Sequence, residues 1–78
     1  MFSDFIINRH DDVMAVLSFL KDMTKSYSYD EIALNLPHIE DLPQVIEKLQ
    51  SEGFIKPVNM FRMEFKGINY YHNNTITE

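Results

Sequence analysis

Residues 41–67 read DLPQVIEKLQSEGFIKPVNMFRMEFKG, and the spacing of their apolar positions changes after the first glycine. Leu42, Val45, Ile46 and Leu49 recur at i, i+3, i+4 and i+7, the stripe of a helix that buries one face. Asp41 and Gln44 offer an N-terminal cap for that helix, and Pro43 is tolerated in its first turn, where amides have no helical acceptor. Gly53 is expected in the left-handed conformation that closes the helix. The next runs, FIKPV at 54–58 and FRMEF at 61–65, have strand composition. Asn59 and Met60 between them predict a tight two-residue hairpin, and Pro57, with no amide to donate, belongs on an edge strand. Lys66, Gly67, Ile68, Asn69, Tyr70 and Tyr71 then predict a closing helical turn or two ending near Asn73, with residues 74–78 as a frayed tail.

Working back toward the N-terminus, Ser28 and Glu31 form an S-x-x-E capping box that predicts a helix start. Ile32, Ala33 and Leu36 supply the buried face of that helix, and Pro37 stops it by pushing the preceding residue out of helical geometry. Residues 24–27 read as a polar connection. Before them, Val13, Val16, Leu17, Leu20 and Met23 recur at helical spacing over roughly residues 11–23, with Asp11 and Asp12 at the positive end of the helix dipole. Residues 1–10 form an apolar arm in which Phe2, Phe5, Ile6 and Ile7 allow a helical turn that Asn8, Arg9 and His10 interrupt.

Composition narrows what such a chain can do. With 78 residues, 45% of them hydrophobic, it has room for one domain and one modest core, and a chain of this size buries only about 60% of its unfolded surface. A deep substrate cavity is not expected. The absence of cysteine excludes disulfides and thiolate metal sites. The apolar runs are too short for a membrane span, and residues 1–4 lack the basic flank and apolar stretch of a signal peptide, so a cytoplasmic location is expected. The net charge of −5 is unevenly distributed. Residues 1–52 hold ten acidic and four basic side chains, whereas Lys56, Arg62 and Lys66 outnumber Glu64 and Glu78 in residues 53–78.

Three helices, a glycine stop, a hairpin and a closing helix resemble the winged helix-turn-helix superfamily. The resemblance rests on residues 47–55 (EKLQSEGFI) and 61–71 (FRMEFKGINYY), and it covers residues 11–73. It is to the small bacterial and phage regulators in which the second wing strand passes through a Thr-x-Lys-Gly turn into a C-terminal helix. Glu64 stands where those proteins usually have threonine, which weakens the cap on the last helix. The fold implied is α+β and mostly helical, a three-helix core with a short two-stranded wing and a C-terminal helix. The function implied is DNA binding in regulation of transcription or replication, with the third helix in a major groove and the wing along the backbone.

On that resemblance, the outward face of the third helix presents Gln44, Lys48 and Ser51 to double-stranded DNA, Gln44 suited to an adenine edge and Lys48 to a guanine or a phosphate. Lys56, Arg62 and Lys66 are the candidates for backbone contact, and Glu47 faces the same way as the first group. A different class is open beside it: a protein-interaction or homodimer module that binds no DNA. Phe2, Phe5, Ile6, Tyr70 and Tyr71 are its candidate interface, because aromatic side chains are enriched at such surfaces. A dimer would also let two weak half-sites combine. No enzyme is expected. His10, His38 and His72 are far apart in sequence with no zinc spacing, and the pairs Asp11 with Asp12 and Glu40 with Asp41 are explained by helix starts. Two glycines exclude a phosphate loop or a dinucleotide fingerprint. No cofactor, metal or membrane partner is expected.

Overall fold

The computed structural model describes residues 4–22, 24–58 and 60–75. Along them run α1 (Asp4–Asn8), α2 (His10–Phe19), α3 (Tyr29–Asn35), α4 (Leu42–Ser51), β1 (Ile55–Val58), β2 (Met60–Met63) and α5 (Phe65–Thr75). The class is α+β and mostly helical, and the sheet is a two-stranded antiparallel ribbon.

The start of α3 follows the capping box. The Ser28 amide donates to Glu31 Oε1 at 2.8 Å, and the Glu31 amide donates to Ser28 Oγ at 3.2 Å, so two amides without helical acceptors are satisfied reciprocally. The helix ends at Asn35, two residues before Pro37. The start of α4 departs from expectation. Asp41 adopts a left-handed conformation, φ 54° and ψ 48°, and its side chain makes no capping hydrogen bond. Its carbonyl instead accepts from the Gln44 and Val45 amides at 3.0 and 3.3 Å. Aspartate tolerates this conformation better than most residues, and the backbone rather than the carboxylate opens the helix.

At the other end of α4, Gly53 has φ 80°. Its amide donates to the Gln50 carbonyl at 3.0 Å and the Phe54 amide donates to the Leu49 carbonyl at 2.9 Å, the paired bonds of a Schellman stop. The chain turns into β1, where Ile55 pairs with Met63, Lys56 with Arg62, Pro57 with Phe61 and Val58 with Met60. This register corrects the two-residue hairpin: Met60 is a strand residue, and the pairing centres on position 59, which lies outside the described residues. Phe65 opens α5 instead of extending β2, and α5 reaches Thr75, taking in two residues assigned to the tail.

The first core helix is shorter than its apolar pattern, ending at Phe19. Beyond Leu20 the Asp22 carboxylate accepts from the Thr24 amide at 3.0 Å and from Thr24 Oγ1 at 2.6 Å. This side-chain turn competes with helix continuation. Met23 lies outside the described residues. The redirected chain brings Tyr27 to the ribbon, where it exchanges two backbone hydrogen bonds with Phe61, at 2.9 and 2.7 Å. The connection read as merely polar is therefore a third short rung beside β2.

All these elements converge on one core. Val13, Val16, Leu17 and Leu20 of α2 and its cap, Ile32 of α3, Leu42, Val45, Ile46 and Leu49 of α4, and Phe54, Ile55 and Met63 of the ribbon are buried together. Ile39, in the loop before α4, joins them, and so does Ile6 of α1. No polar side chain is buried among the described residues. Burying each such aliphatic side chain is worth about 1.5–3 kcal/mol. Ile6 is thus used by its own domain, and α1, within the segment read as an arm, packs against α2 and α4. α5 approaches the ribbon so closely that Gly67 has no room for a side chain. A Cβ there would overlap the Phe54 carbonyl oxygen and lie 2.7 Å from Met63 Sδ.

Candidate nucleic-acid interface

The buried stripe of α4 leaves Gln44, Glu47 and Ser51 exposed on the opposite face. Lys48 does not join them as expected. It is half-buried on the flank toward α1, with Nζ 5.9 Å from the centre of the Phe5 ring. A lysine stem covers apolar surface readily, and its ammonium gains from the ring face. The outward face of α4 therefore offers two neutral polar side chains and a carboxylate. Across α3 and α4 and their flanks, Asp30, Glu31, Glu40, Asp41 and Glu47 are exposed and Glu52 is half-exposed.

The ribbon has the opposite sign. Ile55 and Met63 face the core as a pair, so strand alternation sends the next pair, Lys56 and Arg62, to the outer face. Two cations directly opposite one another across an antiparallel pair repel. Glu64 Oε2 stands 3.7 Å from the Arg62 guanidinium with both side chains partly exposed, which offsets little of that repulsion because exposed ion pairs contribute about 0–1 kcal/mol. Lys56 is exposed and has no ion pair among the described residues. Lys66, at the start of α5, runs its stem past Gly53 and holds Nζ 5.8 Å from the Phe54 ring centre, so it sits over the turn between α4 and β1. The structure thus brings Lys56 and Arg62 together, places Lys66 at the base of the ribbon, and turns the Lys48 ammonium over Phe5, although Lys48 adjoins Gln44 and Ser51 on the helix surface.

Arg9 was not singled out in the sequence. Its Nε donates to Asp12 Oδ2 at 2.7 Å and its Nη2 donates to the Glu40 carbonyl at 2.7 Å, with the guanidinium carbon 5.5 Å from the Phe5 ring centre. It ties the start of α2 to the loop before α4, and its hydrogen bonds are directed to its own chain. The Arg9 to Asp12 spacing of three was a sequence signal for half of this contact.

The candidate interface residues lie mostly against their own chain. Phe5 is half-buried beneath Arg9 and Lys48, and Ile6 is fully buried. Tyr70 stacks on Phe54 with ring centres 4.9 Å apart, and the Tyr71 hydroxyl donates to Ser18 Oγ at 3.4 Å. Burial also raises the Tyr70 hydroxyl above its ordinary pKa. A domain of this size has little apolar surface to spare, so these residues close its core. Phe2 lies outside the described residues. Among the described residues, the large apolar side chains that are exposed are Ile7, Leu34 and Phe65, at 59%, 80% and 74%.

Among the described residues, no group of three or more His, Asp or Glu side chains is placed to hold a metal ion, and no helix is long and apolar enough to cross a membrane. In comparisons with protein-family models, curated proteins and solved structures, nothing matches the chain.

Proposed function

We propose that this chain is a small winged-helix DNA-binding protein, of the kind that regulates transcription or replication in bacteria or phage, and that it holds the duplex chiefly by its ribbon. The order α2, α3, α4, β1, β2, α5 supports the winged-helix assignment, as do the glycine stop at Gly53 and the close passage of α5 over Phe54 at Gly67. The observation that carries the DNA reading is the facing pair Lys56 and Arg62 on the outer side of the ribbon. Like charges held face to face by a backbone register are relieved by an anion between them, and the phosphate backbone supplies one. Gln44 and Ser51 are the residues of α4 positioned for base edges, and the carboxylates around them keep the affinity of a single copy low.

Fluorescence anisotropy of a labelled mixed-sequence duplex tests this. Binding is expected at low salt and falls steeply as salt rises, and Lys56→Ala and Arg62→Ala each reduce the slope of log K against log salt by about 1. Undiminished binding by the double variant would remove the ribbon from the interface, and no binding by the unaltered chain at low salt would end the DNA reading.

A second reading, a protein-interaction module, is favoured by the exposed carboxylates of α3, α4 and their flanks, which repel a phosphate backbone and attract a basic protein surface.

A further inference from the structure

Tyr29 at the start of α3, Pro43, Ile46 and Gln50 of α4, and Phe61 of β2 line an open groove of about 370 Å³. The groove exists because three separate events meet there. The capping box starts α3 at Tyr29. The Tyr27 to Phe61 bridge draws β2 against the helices. The 43, 46, 50 flank of α4 then faces the ribbon, opposite the flank that carries Lys48. Its walls are aromatic and aliphatic, and Gln50 is half-buried with no side-chain hydrogen bond among the described residues. An apolar channel with one carboxamide able both to donate and to accept suits an extended peptide, whose backbone needs such a partner and whose side chains fill the channel.

The charge around the groove selects the occupant. Asp30 follows Tyr29, and Glu47 lies one helical turn from both Pro43 and Gln50; both carboxylates are exposed and have no ion pair among the described residues. Arg62, next to Phe61, points to the outer face of the ribbon, away from the groove. We infer that the groove is a docking site for a basic protein segment that anchors one or two large apolar side chains between Tyr29, Ile46 and Phe61 and sets its lysines or arginines against Asp30 and Glu47. This inference rests on the protein-interaction reading and names its site and the chemistry of its partner.

The test is a nuclear magnetic resonance titration of the full isotope-labelled chain with a short peptide that has a Leu-Phe-Leu centre flanked on each side by lysine pairs. The control is the same peptide with an alanine centre. Amide shifts are expected to cluster at Tyr29, Ile46, Gln50 and Phe61. The Kd is expected on the order of 100 µM, because the contact is far smaller than a standard interface. The alanine-centred peptide is expected to bind about tenfold more weakly or less well still. Asp30→Lys combined with Glu47→Lys, two exposed positions outside the core, is expected to weaken the first peptide about tenfold as well. If both peptides bind equally and shift amides along all the carboxylates, the groove is overturned and general charge attraction remains. If neither peptide shifts any amide, the groove and the protein-interaction reading fall together.

Discussion

Gly67→Ala is a substitution for which helix propensity and tertiary structure predict opposite signs. Gly67 lies inside α5, and replacing glycine by alanine within a helix normally stabilises it by about 1 kcal/mol. Here the added methyl would overlap the Phe54 carbonyl oxygen and sit 2.9 Å from the carbonyl carbon and 2.7 Å from Met63 Sδ. The thioether can rotate away, but the carbonyl is backbone, and it already accepts the Glu64 amide at 2.9 Å. Overpacking of this kind costs about 1–3 kcal/mol, and lengthening the Glu64 hydrogen bond costs up to about 1 kcal/mol more. Against the propensity gain, the net is a destabilisation of about 2 kcal/mol. A domain of this size has a total stability of roughly 4–12 kcal/mol at the usual per-residue range. At about 4–8 °C per kcal/mol, Tm should fall by roughly 8–16 °C. Far-UV circular dichroism of a thermal melt, checked by urea titration, measures it. An unchanged or raised Tm would show that α5 lies farther from Phe54 than described, and the packing of the last helix on the ribbon would have to be redrawn.

Gly53→Ala meets only Lys66 Cδ, at 3.7 Å, so its cost is conformational; a loss of about 1–2 kcal/mol is expected from the left-handed φ, with Gly53→Asn recovering most of it in the same melt. Ser28→Ala removes one arm of the capping box and should lower stability by about 1 kcal/mol, and a larger loss in urea titration would mean that Ser28 supports more than α3. The Asp22 carboxyl is held below its ordinary pKa first by the Thr24 hydroxyl and then by the Thr24 amide. Its contribution is therefore present above the ordinary carboxyl range and lost as pH falls through the lowered value; Thr24→Val should move the Asp22 titration, followed by side-chain NMR, upward toward normal, and an unmoved titration would remove the hydroxyl from the turn. Lys56→Ala relieves the repulsion from Arg62, so the free protein should melt at the same temperature or slightly higher while its affinity for duplex falls, and a lower melting temperature would mean that Lys56 serves the fold.

The elements that were legible in sequence are those decided within a few residues. Leu42, Val45, Ile46 and Leu49 form the buried stripe of α4, Ser28 and Glu31 close the capping box, and Gly53 makes the left-handed stop. Where reading along the chain failed, a side chain or a distant strand had altered the outcome. Asp22 and Thr24 ended α2 before its apolar pattern ran out, and Asp41 opened α4 through its carbonyl instead of its carboxylate. Of the candidate site, the positive ribbon was visible as an excess of basic residues after Gly53. The position of Lys48 over Phe5 was not, because it depends on a helix more than forty residues earlier packing beside α4.

The helical stretches of the core, the glycine stop, the ribbon that follows it and the segregation of charge between the two halves of the chain are legible in the residues alone. Each depends on periodicity, local hydrogen bonding or composition, and these act over one or two turns. Tertiary packing alone put Ile6 in the core with Tyr70 and Tyr71 packed against it, joined Tyr27 to the ribbon, set Lys56 opposite Arg62, and left Gly67 no room for a side chain. Those facts come from close approaches between segments far apart in the chain. A few ångströms of packing distance set them, and no local pattern of residues encodes that distance.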